Sequence, residues 1–333
     1  MANRDEHTLH QLLQRLADGE YHSGDELGDW LGISRAAVWK QLRKLGEVGL
    51  PLESVRGRGY RLTGGLELLS ERRLREALSL EANRLVTALD VLSVTDSTNA
   101  RAMLRAAEGQ SGYICLAEQQ TAGRGRRGRT WVSPFGQNLY LSVSWGFDGG
   151  ATQLEGLSLA VGVALCEQLA ALGLKDLGLK WPNDLLWREQ KLAGILLEMT
   201  GDPAGHCCVV IGVGLNMAMP ESAALSIEQP WVDLATACVA EGCEVPGRHQ
   251  VAAGLIERLV LLLKDYHHEG FSSWRQRWEC RDAFRNREVL VSSGTSSRSG
   301  IARGVDESGA LRLEVEGEYT LCHGGELSMR PVK

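Results

Sequence analysis

Three things are scarce or missing in this sequence. No apolar run approaches the roughly 20 residues that span a bilayer, and the opening MANRDEHTLHQLLQRL holds no signal-type stretch; export and membrane association are therefore not expected, and a cytoplasmic protein is. There is no C-x-x-C pair: Cys115, Cys166, Cys207, Cys208, Cys238, Cys243, Cys280 and Cys322 are scattered, which speaks against zinc or a disulfide framework and for buried or free thiols. An excess of positive charge is missing too, since 36 Lys and Arg stand against 42 Asp and Glu for a net charge of -6. That argues against nucleic-acid binding by the surface as a whole. What remains is a globular composition, 44% hydrophobic and 23% charged over 333 residues, long enough for two or three domains.

The charge is unevenly spread. Residues 34–62 carry seven basic side chains (Arg35, Lys40, Arg43, Lys44, Arg56, Arg58, Arg61) against Glu47 and Glu53, a local footprint for nucleic acid. Leu9, Leu12, Leu13 and Leu16 recur at helical spacing and predict a helix that stops at Asp18-Gly19-Glu20. Ser23 and Glu26 form an S-x-x-E capping pattern that starts a second helix. Gly32-Ile33-Ser34 turns into a third, with Ser34 as N-cap and Val38, Leu42 and Leu45 on its buried face. Its other face presents Arg35, Ala36, Lys40, Gln41, Arg43 and Lys44, a mix able to meet base edges and phosphates. Leu52 to Val55, a tight Arg56-Gly57-Arg58-Gly59 turn and Tyr60-Arg61-Leu62 read as a two-stranded wing tipped by Arg56 and Arg58. Residues 1–65 are thus expected to form a winged helix-turn-helix, closed by a Thr63-Gly64-Gly65 joint; the alternative is a three-helix module with an ordinary solvated basic face.

Gly123-Arg124-Gly125-Arg126-Arg127-Gly128-Arg129-Thr130 fits two phosphate-binding patterns at once, yet Trp131 leads into a loop and an alternating strand, Leu139 to Trp145, in place of the helix both patterns need. Glycines allow close backbone approach and arginines offer permanent charged forks, so the loop suits closing over an anion.

This loop, after Glu118-Gln119-Gln120-Thr121-Ala122, resembles the adenylate-binding loop of biotin–protein ligases. Asp96-Ser97-Thr98-Asn99, Lys180-Trp181-Pro182-Asn183-Asp184, Lys191-Leu192-Ala193-Gly194-Ile195-Leu196-Leu197-Glu198, Gly212-Val213-Gly214-Leu215-Asn216 and Gly324-Gly325-Glu326-Leu327-Ser328-Met329-Arg330 stand in the family's order, so the likeness runs the length of the chain. The N-terminal module narrows it to bifunctional ligases that repress the biotin operon. The resemblance implies an α+β protein: a winged helix, a central mixed-sheet α/β domain of class II synthetase type over residues 66–283, and an SH3-like β-barrel over 284–333. Short strands between Gly and Ser turns from about Asn286 also read as a small barrel.

The resemblance further implies that ATP activates biotin as biotinyl-5'-AMP, that the biotinyl group passes to a lysine of the biotin carboxyl carrier protein, and that the adenylate-bound form is a homodimer on operator DNA. It assigns Lys191, Arg126 and Asp184 to catalysis. Biotin would lie among Ser97, Thr98, Asn99, Gln120, Arg124, Gly125, Arg126 and Lys191, and the nucleotide among Arg126, Arg127, Arg129, Trp131, Asn216, Trp231 and Arg330. Mg2+ would accompany ATP, with Asp184 orienting either its water or the acceptor lysine; the metal ligands stay open. Two anions must meet in this reaction, which is why fixed cations are needed. Trp131 and Trp231 could equally be core, and Lys191 a surface lysine. The rival readings are a lipoate–protein ligase and a non-catalytic, biotin-sensing regulator.

Overall fold

Local spacing builds the first module. In the structure, a computed structural model that describes residues 2–47, 50, 52–293, 296–324 and 327–331, helices α1 (Ala2–Leu16), α2 (Gly24–Leu31) and α3 (Arg35–Glu47) precede a hairpin of β1 (Leu52–Val55) and β2 (Gly59–Leu62). Ser23 accepts the Glu26 N–H at 3.0 Å, Gly32 ends α2 in the left-handed region at φ 64°, and Ser34 accepts the Ala37 N–H at 3.2 Å. Leu12, Leu13, Leu16, Leu27, Val38, Leu42, Leu45 and Leu62 form the core. One expectation is corrected here: Gln41 does not face solvent but is 6% exposed. It lies three residues beyond Val38, on the stripe that α3 turns inward, and it leaves the set of DNA-facing residues.

The linker is not a bare joint. Leu66 and Leu68 pack against the N-terminal core, as does Phe135 from the central part of the chain, 3% exposed. Gly136 has a φ of 66°, and a Cβ there would come within 2.6 Å of Leu66 Cδ1. The close approach that seats Phe135 therefore requires glycine.

Two short helices, α4 (Glu71–Ala77) and α5 (Leu80–Leu85), lead into β3 (Ala88–Thr95), α6 (Thr98–Ala107), β4 (Tyr113–Gln120), β5 (Leu139–Phe147), α7 (Leu157–Ala171), β6 (Leu177–Lys180), β7 (Asp184–Trp187), β8 (Gln190–Gly201) and β9 (Cys207–Leu215). The strands form one mixed sheet in the order β3-β4-β5-β9-β8-β7-β6, with β3 parallel to β4 and the rest antiparallel. Between β4 and β5 the arginine loop makes only a single 3-10 turn, Arg126–Gly128. Helices α8 (Glu221–Ala224), α9 (Leu234–Glu241), α10 (Arg248–Glu269) and α11 (Ser272–Glu279) come next. The stretch from Arg248 to Glu279 forms two helices, because Gly270 takes a φ of 58° and ends the first.

The expectation that no stretch nears span length also needs amendment. Residues 151–171 contain an 18-residue window of mean hydropathy 1.4, although most of that window is buried inside the fold. Its apolar residues on α7 belong to the main core with the sheet and α10.

The chain ends in an antiparallel sheet of β10 (Glu288–Ser293), β11 (Ser296–Val305), β12 (Leu311–Val315), β13 (Glu318–Cys322) and β14 (Ser328–Pro331), in the order β13-β12-β11-β10-β14. This is the SH3-like module; Gly325 and Glu326 of its terminal motif lie outside the described residues. Its core residues Val289, Val291, Leu311 and Leu313 continue the central core. Trp181 Nε1 donates to Gly309 O at 3.1 Å across the junction.

Candidate active site

The floor of the site is a bald patch of sheet. Gly194 on β8 is paired directly with Gly214 on β9, and Trp131 lies over both. A Cβ on Gly214 would stand 2.4 Å from Trp131 Cε2, and one on Gly194 3.0 Å from its Cζ3. The indole N–H is buried without an acceptor among the described residues. Lys191 Nζ stands 5.4 Å from the centre of the Trp131 ring, within range of a cation–π attraction.

Lys191 is one of three charges packed together. Its ammonium is 2.7 Å from Asp184 Oδ1, and Lys180 lies 3.5 Å from Asp184 Oδ2. Burial pushes the Asp184 carboxyl up, but Lys191 and Lys180 outweigh it and hold the group below its ordinary range. Burial likewise draws Lys180 down, only partly opposed by Asp184. A hairpin explains the grouping: β6 and β7 bring Lys180 opposite Asp184, and β7 pairs with β8 beside it. Pro230–Val232 adds to the β8 edge, since Lys191 N–H donates to Pro230 O and Val232 N–H to Lys191 O, each at 3.0 Å. That sets the Trp231 backbone alongside Lys191.

The arginine loop closes on itself, with Gly125 N–H to Arg129 O at 2.7 Å and Trp131 N–H to Gly123 O at 2.9 Å. Arg126 reaches out of it in two directions. Its guanidinium donates to Asn183 Oδ1 at 3.0 Å and to the carbonyls of Gly324 and Leu327, each at 2.8 Å. Arg127, at φ 59°, donates to Ser328 Oγ at 3.1 Å. The loop is therefore tied both to the Trp181–Asn183 turn and to the C-terminal module. Arg129 is exposed and has no ion-pair partner among the described residues.

A third group of polar side chains lines the start of α6. Thr98 donates from N–H and Oγ1 to Gln120 Oε1 at 2.9 and 3.1 Å, and Gln120 Nε2 to Ser133 Oγ at 3.3 Å. Buried Ser142 donates to Asn99 Oδ1 at 2.6 Å, while Asn99 Nδ2 donates to Glu198 Oε2 at 2.9 Å. Arg124 pairs with the same carboxylate at 3.5 Å. A Cβ on Gly212 would fall 2.1 Å from Asn99 Oδ1, so this glycine too makes room for a neighbour. Ser97 caps α6 by accepting the Ala100 N–H at 3.4 Å.

The structure thus brings Lys191, Asp184 and Trp131 together, and joins Thr98, Asn99, Gln120 and Arg124 in one network. Two further expected residues have distinct surroundings. Asn216 is buried, and its amide donates to Val232 O at 3.1 Å and Lys191 O at 3.4 Å; it ties the Lys191 segment down and offers its N–H groups to the backbone. Arg330 is exposed on β14 without an ion-pair partner among the described residues. Sequence reasoning gives no role to Glu198, Ser142, Ser133, Asn183 or Lys180. Glu198, Asn183 and Lys180 belong to the motifs that carry the family resemblance and were legible there, whereas Ser133 and Ser142 carry no such signal. On the N-terminal module, Arg35, Lys40, Arg43, Arg56 and Arg58 are exposed, and Arg58 stacks 4.1 Å from the Tyr21 ring centre.

Comparison with known proteins agrees with this geometry. Residues 91–216 match the biotin/lipoate A/B protein ligase family, and residues 8–61 match a helix-turn-helix domain. The chain is 42% identical over 320 residues to the bifunctional ligase/repressor BirA of Escherichia coli K12, covering 96% of each. It is 35% identical over 275 residues to the biotin–[acetyl-CoA-carboxylase] ligase of Mycobacterium tuberculosis H37Rv, covering 78% of this chain and 95% of that one. The structure of the Aquifex aeolicus biotin protein ligase in complex with biotin and ATP superposes with a TM-score of 0.61 at 26% identity, over 74% of this chain and all of that one. The chain belongs to the family of bifunctional biotin ligases and repressors.

Proposed function

We propose that this protein uses ATP to activate biotin and transfers the biotinyl group to a lysine of the biotin carboxyl carrier protein of acetyl-CoA carboxylase, and that with the adenylate bound it dimerises and represses a biotin operon through its winged helix. The observation that carries this reading is Lys191, half-buried in an ion cluster with Asp184 and Lys180 beside an indole that lies on bare sheet. In the first step a biotin carboxylate oxygen bonds to the α-phosphorus of ATP, the bond to the β-phosphate oxygen breaks, and pyrophosphate leaves. In the second, the acceptor amine bonds to the biotinyl carbonyl carbon, AMP leaves, and the amine loses a proton.

Lys191 supplies fixed positive charge where carboxylate and α-phosphate converge, in a setting of low dielectric that strengthens it. Asp184 holds that ammonium in place and stays ionised while doing so. Arg126, tied to Asn183 and the C-terminal carbonyls, keeps the loop down and shields the mixed anhydride from water. Arg127, Arg129 and Arg330 serve the phosphates, Trp131 and Trp231 the purine face, and Asn216 the backbone that bears Lys191. Ser97, Thr98, Asn99, Gln120, Gly125 and Arg124 take the biotin ring. Mg2+ would arrive on the nucleotide. Asp184 is engaged by two lysines, and the described residues hold no group of three metal-binding side chains. The binding of DNA rests on the exposed Arg35, Lys40, Arg43, Arg56 and Arg58 and the half-buried Lys44, with Ser34 capping the helix that bears Arg35, Lys40, Arg43 and Lys44.

Biotin-dependent exchange of pyrophosphate into ATP by the purified protein is the test. Lys191→Ala is expected to lower exchange by about a hundredfold or more, whereas Arg126→Gly is expected to exchange but release the adenylate early. Exchange supported by lipoate alone, or equal turnover by both variants, overturns the assignment.

A further inference from the structure

The N-terminal module exposes two large aromatic rings, Trp30 at 51% and Trp39 at 52%. They stand in opposite electrostatic surroundings. Trp30 sits on α2, where Asp25, Glu26 and Asp29 are all exposed in the same two turns. Trp39 sits on α3 between Arg35 and Arg43, each one helical turn away and hence on the same face, with Lys40 alongside; all three are exposed. The Arg43 guanidinium is 5.1 Å from the centre of the Trp39 ring, which holds the cation beside the indole. An apolar plate bordered by Lys40, Arg43 and an Arg35 that also reaches Asp25 on α2 at 3.4 Å, in the basic stretch of the N-terminal module, fits a surface with anionic walls and an apolar feature between them. The major groove of a DNA duplex is such a surface: phosphates line it, and each thymine places a methyl group on its floor.

With Gln41 buried, the middle of α3 presents Arg35, Trp39, Lys40 and Arg43 outward. We infer that Trp39 reads sequence, its ring packing on the C5-methyl of a thymine while the stacked Arg43 is aimed at the neighbouring base edge or phosphate. This rests on the proposed DNA binding by the winged helix. Trp30, in its acidic setting, stays outside the contact.

The test uses the full chain with biotin and ATP. A random duplex library of about 40 base pairs is selected with the wild type, and affinities for the selected duplex are measured for wild type, Trp39→Ala, Trp39→Phe and Trp30→Ala. Trp39→Ala is expected to bind the selected duplex about tenfold or more weakly and to lose preference for thymine at one position per half-site. Trp39→Phe should retain part of the affinity, and Trp30→Ala all of it. Replacing that thymine by deoxyuridine, which removes only the methyl, should weaken the wild type and leave Trp39→Ala unaffected. Thermal melts of the variants separate this outcome from misfolding. The inference is overturned if Trp39→Ala selects the same sequence with affinity within about twofold of wild type, if uracil is tolerated, or if Trp39→Ala changes self-association and leaves selection intact. Failure of the wild type to select any sequence sinks the DNA-binding reading and the inference with it; selection by the wild type with an indifferent Trp39 sinks the inference alone.

Discussion

Asp282 has one carboxylate oxygen buried without a partner among the described residues, while the other accepts the Phe284 N–H at 3.0 Å. Burial pushes its pKa up to about 6. Because the folded value lies above the unfolded one of about 4, the stability linked to protonation is full below the unfolded value and is lost as pH rises through the folded one. Asp282→Asn should therefore raise the melting temperature at pH 8 by about 2 °C or more, and the gain should shrink toward pH 5; thermal melts at the two pH values check it. The paired glycines argue at the same scale. The backbone of a central strand cannot move aside, so Gly214→Ala must push the Trp131 ring off the sheet. Biotin-dependent exchange should fall by about tenfold or more with the fold kept, and the tryptophan emission should shift. The motifs in the sequence point to Lys191 and Trp131, but nothing local says that Gly194 and Gly214 face each other and carry an indole, since that register joins residues 20 positions apart in the chain.

Among the elements, α10 is pinned at its start. Arg248 pairs with buried Glu118 on β4 at 2.6 Å and donates to Asn138 O at 2.8 Å and Glu67 O at 2.7 Å, while Leu69 N–H donates to the same Glu118 at 2.6 Å. One guanidinium thus joins α10, the sheet, the segment before β5 and the linker. Arg248→Met should cost about 3–5 kcal/mol, because it strands a buried carboxylate; Arg248→Met with Glu118→Leu should recover much of that in denaturant melts. Element by element, α1, α2, α3 and the wing are readable because their signals are local: periodic leucines, an S-x-x-E cap, a Gly-flanked turn. The break between α10 and α11 has Gly270 as its one local sign, within a helical pattern that resumes on the far side. Gln41 misleads because polarity suggests solvent where its position on the helix dictates burial. The ties from Arg126 to Gly324 and Leu327 span some 200 residues of chain and leave no pattern to find.

At the scale of the molecule, the passage from the winged helix to the central sheet is a change of architecture more than a seam. Phe135 is lodged in the N-terminal core together with Leu66 and Leu68, four residues from the indole on the sheet. Deleting residues 1–65 should abolish DNA binding and also bare these three side chains, so the remainder should aggregate and melt earlier than the full chain; Phe135→Ser in that fragment should improve its solubility, as light scattering would show. The seated phenyl has a consequence for recombination. A winged helix borrowed from another repressor would have to bring a vacancy of matching shape for a foreign ring, so interchange of these modules is limited by a keyhole more than by the length of the tether between them.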